Sequence, residues 1–469
     1  MGLASNRYRF VVLAIGLMCL TSICSNYIII NFTFICMKDD LSELRQSENG
    51  TVRGLYDYTQ SERSTIIWAV AVGTIVGTFP INYLYVAYGA KYPFLCAGIL
   101  SIISTIFIPS CAKSGLPFLI FARFLQGLAY SADFAAIGLI CVRWAPLSEM
   151  AIYIALLTSF TPVSAIVTNA ITGFLCTSPF GWKSSFYLHA GFGVVCFTLW
   201  VIFYTDEPEN CRAVSKKEIR LIQKDKSAEH IEHKKDVPYK AILSSPVILC
   251  VWFNAFCEMT FIILLSTYSP IYFRAIFGFG LEVTGLLVSL TTIAQLPFKL
   301  TAGFLSDRIT FFTETTKMKF FNTVSVGLVG VMFCYVGFIP VEYKWVAVAT
   351  FAMIHSFSSW NCGGFYKCGT FVARLVGYFI VLQHAHIVIA TIQFMKCVAL
   401  FAAPALVDFV VHDDSNKMQW ATVFAIAGVV MIVANLMAYP LFTDQPATWT
   451  TSKKIDEEGT SMDHLNHNR

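Results

Sequence analysis

Charge is scarce in this sequence of 469 residues: Asp, Glu, Lys and Arg make up 13% of it, against about 25% in soluble domains. With 56% hydrophobic residues, the apolar surface cannot be hidden in a soluble core, and the bilayer must serve as solvent. The net charge of +4 forms no basic tail or stripe, which argues against nucleic acid as a partner. The 15 cysteines include no CxxC pair and no Cys/His metal spacing, so no metal is expected. Cys19, Cys96, Cys141, Cys196 and Cys334 lie in apolar segments and read as small packing residues, with a disulfide or a reactive thiol as the alternative. A Gly-rich phosphate loop and a nucleophile–base motif are also missing, which argues against an enzyme and against a cofactor. A cleavable leader is not expected either, because the apolar run after Arg7 and Arg9 continues to about Met37, too long for a signal sequence.

Long apolar runs are abundant, and Phe alone occurs 41 times. A helix needs about 20 apolar residues to cross the hydrocarbon. Spans are expected near 10–36, 64–88, 93–110, 116–141, 151–176 and 184–204, and then near 246–270, 283–305, 319–339, 345–366, 377–411 and 420–442. The eleventh is the hardest to bound, because 367–411 is too long for one span and contains Lys396 and Asp408. With the N-terminus inside, 20 of the 33 Lys and Arg residues fall on the cytoplasmic side and 9 outside. That bias places both termini and the 205–245 loop in the cytoplasm. The 37–63 loop is then outside, where Asn49-Gly50-Thr51 is a glycosylation sequon; Asn31-Phe32-Thr33, inside the first span, is expected to stay unmodified. The chain therefore reads as an all-α polytopic membrane protein of about twelve helices. It divides into an N-terminal six-helix half (1–204), a charged cytoplasmic linker (205–245), a C-terminal half (246–442) and a polar tail (443–469). The membrane itself, plasma or vesicular, is not legible.

Two six-helix halves around a midplane site is a transporter layout, and several motifs agree with it. Gly303-Phe304-Leu305-Ser306-Asp307-Arg308, at the cytoplasmic end of the eighth span, resembles the signature of major facilitator proteins. Gly allows close helix approach, and the Asp307–Arg308 pair at a helix end could act as a conformational latch. In the first half the equivalent stretch, Pro80 to Lys91, has lost the acid and most glycines. Arg123-Phe124-Leu125-Gln126-Gly127, Trp144-Ala145-Pro146-Leu147-Ser148-Glu149, Gly181-Trp182, Asp206-Glu207-Pro208-Glu209, Ser215-Lys216-Lys217-Glu218 and Phe277-Gly278-Phe279 are similar to the anion:cation symporter family, the sodium/phosphate and vesicular glutamate transporter type. The likeness covers most of residues 60–310. It implies a secondary active transporter of a small anion, an organic anion or phosphate, with sodium or proton as a possible coupling ion.

An anion inside a bilayer needs a fixed positive partner, and Arg123 matches the family's fourth-span arginine. Arg123, Gln126, Tyr130 and Asp133 fall within an arc of about 80° on a helix, so one face is expected to line a cavity. Arg123, Gln126, Tyr130 and, from the tenth span, His355 are the candidate substrate contacts. Glu258, mid-span in the seventh helix, and Asp133 are the candidate ion-coupling carboxylates, Glu258 also as a counter-charge to Arg123. The sequence departs from the family pattern where Tyr130 replaces an acid and Glu258 an arginine, so the glutamate-carrier constellation is not present. Residues 375–382 read as a short insertion. These departures leave a second reading open, a transporter-shaped sensor or scaffold that no longer carries solute.

Overall fold

The computed structural model describes residues 7–46, 52–146, 149–224, 239–308, 311–372, 385–445 and 447. Helices occupy all twelve expected span positions: Tyr8–Lys38, Gln60–Tyr88, Lys91–Ser114, Leu116–Tyr130 with Asp133–Trp144, Met150–Thr158 with Phe160–Thr177, and Gly181–Phe203 in the first half. Pro246–Ala275, Leu281–Ile293 with Gln295–Arg308, Glu314–Val336, Lys344–Ser358 with Phe365–Val372, Ala385–Val410 and Lys417–Leu441 form the second. Among the described residues, ten spans, all but the tenth and eleventh, are long and apolar enough to cross a membrane. The tenth is interrupted by a tight turn over Ser359–Gly363. The proposed insertion at 375–382 and the sequon at Asn49 lie outside the described residues. A two-stranded hairpin, Leu44–Gln46 against Val52–Gly54, was not expected in the 37–63 loop.

Small residues set how closely the helices approach. A Cβ on Gly127 would lie 2.1 Å from the Val70 carbonyl oxygen, and one on Gly73 would lie 2.2 Å from that of Phe124. The glycine of the Arg123–Gly127 motif therefore holds the fourth span directly against the second, the close approach that replaces hydrophobic driving force between helices in lipid.

Polar ties lie near the span ends. The backbone N–H groups of Tyr8 and Arg9 donate to Glu218 at 3.2 and 2.9 Å, so a linker carboxylate caps the first span at the positive end of its dipole. Glu218 belongs to a short helix, Lys216–Gln223, whose N-cap is Ser215. Arg9 reaches Glu149 at 2.8 Å and Glu218 at 3.4 Å. The acid missing from the turn between the second and third spans is supplied by Asp206, which accepts from Ala90 and Lys91 N–H at 2.6 and 3.2 Å. It packs against Gly89, whose φ of 74° and crowding by that carboxylate leave no room for a side chain. At the opposite end of the first half, Trp182 donates to Asp40 at 2.8 Å. There Cys36 is disulfide-bonded to Cys176, joining the ends of the first and fifth spans. Twelve further described cysteines form no disulfide.

Candidate functional site

A narrow cavity opens where the two halves meet. Its wall draws Tyr27 and Asn31 from the first span, Ile67 and Val70 from the second, Arg123 from the fourth and Thr161 from the fifth. The second half contributes Ile262, Ile263, Ser266 and Thr267 from the seventh span, with Lys396 and Leu400 from the eleventh. The lining is mostly apolar with a few convergent polar groups and two cations, the usual composition of a small-molecule site.

Arg123 is buried, 1% exposed, yet reaches this wall. Its Nη1 donates to the Tyr27 carbonyl at 2.7 Å and to Gln126 Oε1 at 2.6 Å, and its Nε to the Ile66 carbonyl at 3.4 Å. Gln126 is fixed in turn, its Nε2 donating to the Asn26 carbonyl at 3.0 Å and Thr105 at 2.8 Å. The guanidinium is thus oriented by neutral acceptors from the first and second spans. Carbonyl dipoles make burial of the charge tolerable without cancelling it, so the net positive charge remains beside the cavity.

The other sequence candidates separate. Tyr130 packs against Tyr27 with ring centroids 4.4 Å apart and planes tilted by 46°, and it sits under Lys396, whose Nζ is 5.0 Å from the Tyr130 ring and 5.5 Å from that of Phe160. Asp133 is not on a continuous helical face with Arg123, because the fourth helix breaks at Ser131–Ala132. Its carboxylate is fully buried, and neither oxygen finds a hydrogen-bond donor among the described residues. Glu258 is buried outside the cavity lining, accepting from Asn361 of the tenth span at 2.5 Å with Lys299 in electrostatic reach. Arg123 is held by carbonyls and Gln126 instead of by Glu258. His355 is buried in the tenth span and does not line the cavity. The backbone of Gly303, Asp307 and Arg308 ends the eighth helix, but their side chains lie outside the described residues. Lys396 was visible in the sequence only as a charge that made the eleventh span hard to bound. An intramembrane lysine is itself a functional signal, and its place opposite Arg123 needed the fold.

One rim of the cavity is closed by contacts between the halves. Arg63 pairs with Asp414 at 2.7 Å, Lys38 with Asp414 at 3.9 Å and Arg274 with Asp39 at 3.5 Å. Ser61 donates to Asp408 at 3.0 Å, and the Trp68 indole to the Phe401 carbonyl at 3.1 Å. Elsewhere between the halves, among the described residues, Ser289 donates to the Ile166 carbonyl at 2.8 Å and Lys299 to Thr158 at 3.2 Å.

The comparisons with known proteins agree with this architecture. The chain is 24% identical over 395 residues to a probable small intestine urate exporter of Mus musculus, covering 83% of this chain and 77% of that protein. It is also 24% identical over 396 residues to vesicular glutamate transporter 2.2 of Danio rerio, covering 82% and 65%. Among solved structures, the inward open xylose transporter XylE from E. coli superposes with a TM-score of 0.67 at 11% identity, covering 93% and 96% of the two chains, which shows a shared fold. The family model described as Major Facilitator Superfamily matches residues 11–404, and the chain belongs to that superfamily as a multi-pass integral membrane protein.

Proposed function

We propose that this protein is a secondary active transporter of a small anion, working by alternating access between its two halves. The observation that carries this reading is Arg123, a buried cation with no carboxylate partner among the described residues, which lines a cavity built from both halves. A fixed charge in that place binds an anion more strongly than water-filled surroundings would. The similarity to proteins named as urate and glutamate transporters supports anions as the cargo class. Gln126 orients Arg123, and Tyr130 packs against Tyr27, whose carbonyl accepts from Arg123. Glu258 and Asp133 are the carboxylates available to couple flux to sodium or protons. Gly303, Asp307 and Arg308 would latch the eighth span, and the halves would be 1–204 and 246–442, joined by the 205–245 linker, with the 443–469 tail beyond the last span.

The proposed orientation has both termini in the cytoplasm, in the plasma membrane or a vesicle. The Cys36–Cys176 bond lies at the same end as the sequon-bearing loop, which fits an oxidising outer or lumenal side and glycosylation at Asn49. Purified protein in proteoliposomes should take up one of urate, glutamate, ascorbate or phosphate under an imposed sodium or proton gradient. Arg123→Ala should reduce that uptake by about 100-fold or more, as expected when a buried charged contact is removed. Absence of flux from folded wild-type protein for every anion would support the sensor reading instead.

A further inference from the structure

Lys396 is the second cation of the cavity, and it comes from the opposite half to Arg123. It is 7% exposed, and the faces of Tyr130 and Phe160, both from the first half, lie within 5.5 Å of its ammonium group. Asp133 lies three residues beyond Tyr130, past the break at Ser131–Ala132, fully buried, with both carboxylate oxygens lacking a hydrogen-bond donor among the described residues. Lys396 is the cation that acts on it electrostatically. The remaining titratable groups facing Asp133 are the thiols of Cys19 and Cys24 and the phenols of Tyr27, Tyr85 and Tyr130. None of these supplies a second positive charge.

We propose that Lys396 is a substrate-contacting residue that the anion and the buried carboxylate of Asp133 share in turn. With the cavity empty, Asp133 is the counter-charge of Lys396 across the interface between the halves. An anion entering between Arg123 and Lys396 takes over the ammonium group and relaxes that tie, so that binding itself alters a contact between the two moving bodies. Around the two cations the wall is mostly apolar, with Ile67, Val70, Ile262, Ile263 and Leu400 beside the polar Asn31, Thr161, Ser266 and Thr267. Its apolar part cannot replace the hydration shell of a compact inorganic anion, whereas an organic anion, with its charge on a planar or apolar body, fits both the cations and the wall. The inference rests on the carrier reading and narrows it to organic anions.

Two experiments on the full-length protein test it. In detergent, thermal unfolding midpoints would be measured for wild type, Lys396→Gln, Asp133→Asn and the double variant. Each single change strands one buried charge and should lower the midpoint by several degrees, while the double should lose far less than their sum. Additive losses would overturn the pairing. In proteoliposomes, with radiolabelled urate as the probe, Lys396→Gln should raise the apparent KM about tenfold or more, while Lys396→Arg retains most affinity. Asp133→Asn should instead lower KM and slow turnover, a split that a structural role alone would not produce. Unchanged KM in Lys396→Gln beside an active wild type would refute the lysine's role and leave the carrier reading standing. Uptake of phosphate in preference to urate would refute the organic-anion assignment. A wild type that moves no anion would sink the carrier reading and the substrate role of Lys396 together, with the unfolding cycle still deciding the pairing.

Discussion

Arg123 spends its hydrogen bonds on backbone carbonyls and Gln126, so its position is fixed before any solute arrives. Pre-set donors bind without reordering entropy, which makes Arg123→Lys a poor substitute: it keeps the charge but loses the planar fork that spans Tyr27 and Ile66. Arg9 is the contrasting case, a cation spent on structure. Its side chain holds the carboxyl of Glu149 below the ordinary carboxylate range. A group depressed on folding stabilises the native state above its unfolded value, and that contribution is lost as pH falls through the folded value. Thermal midpoints followed from neutral pH down to about pH 3, below the ordinary glutamate value of about 4.3, should therefore fall more steeply in wild type than in Glu149→Gln. Because Glu149 is 25% exposed, the difference should be modest. At this scale the sequence pointed to Arg123 through its motif, but it could not show that Tyr27 and Ile66 hold it, since backbone acceptors leave no mark in side-chain identity. Lys396 was legible as an anomaly and Asn31 only as an unusable sequon, although both line the cavity.

The spans themselves were legible almost throughout, because the hydrocarbon thickness imposes a length and a composition that any sequence must satisfy. Breaks within spans were not, since Ser131–Ala132 and Ser359–Gly363 carry no proline and are set by packing against neighbours. Several family motifs turn out to be ties at helix ends. Asp206 caps the third span, Glu218 caps the first, and Trp182 anchors to Asp40. They report the fold of the family more than its cargo, which is why they identified a lineage and left the substrate open. Gly127 belongs to the same class. Gly127→Ala should cost about 1–3 kcal/mol by overpacking against the second span and lower the melting midpoint. Gly138→Ala, on the same span with open space at its Cβ position, should be neutral or slightly stabilising. Equal effects of the two would show that the close approach at Val70 is not what Gly127 provides.

At the scale of the molecule, the ion pairs and hydrogen bonds that close one rim join the first and second spans to the seventh, the eleventh and the loop that follows it. On the proposed orientation, with the N-terminus inside, the closed rim is the outer one, and the proposed carrier would here face the cytoplasm. Removing Arg63, which pairs with Asp414 at 2.7 Å, should shift the balance toward the state facing outward. A partly buried pair is worth on the order of 1 kcal/mol, a few-fold in population. Labelling of Asn31→Cys by an impermeant thiol reagent added from outside should accelerate about that much when Arg63→Gln is also present, compared with the same background lacking the cavity cysteine. An unchanged rate would mean that Arg63 does not help hold the rim shut. The disulfide has a different reach. Cys36 and Cys176 are 140 residues apart and both belong to the first six spans. The bond can therefore close while the ribosome is still extending the chain, as domains made first fold first. The first half can leave synthesis covalently sealed before the seventh span is made, giving the later helices a finished surface to assemble against.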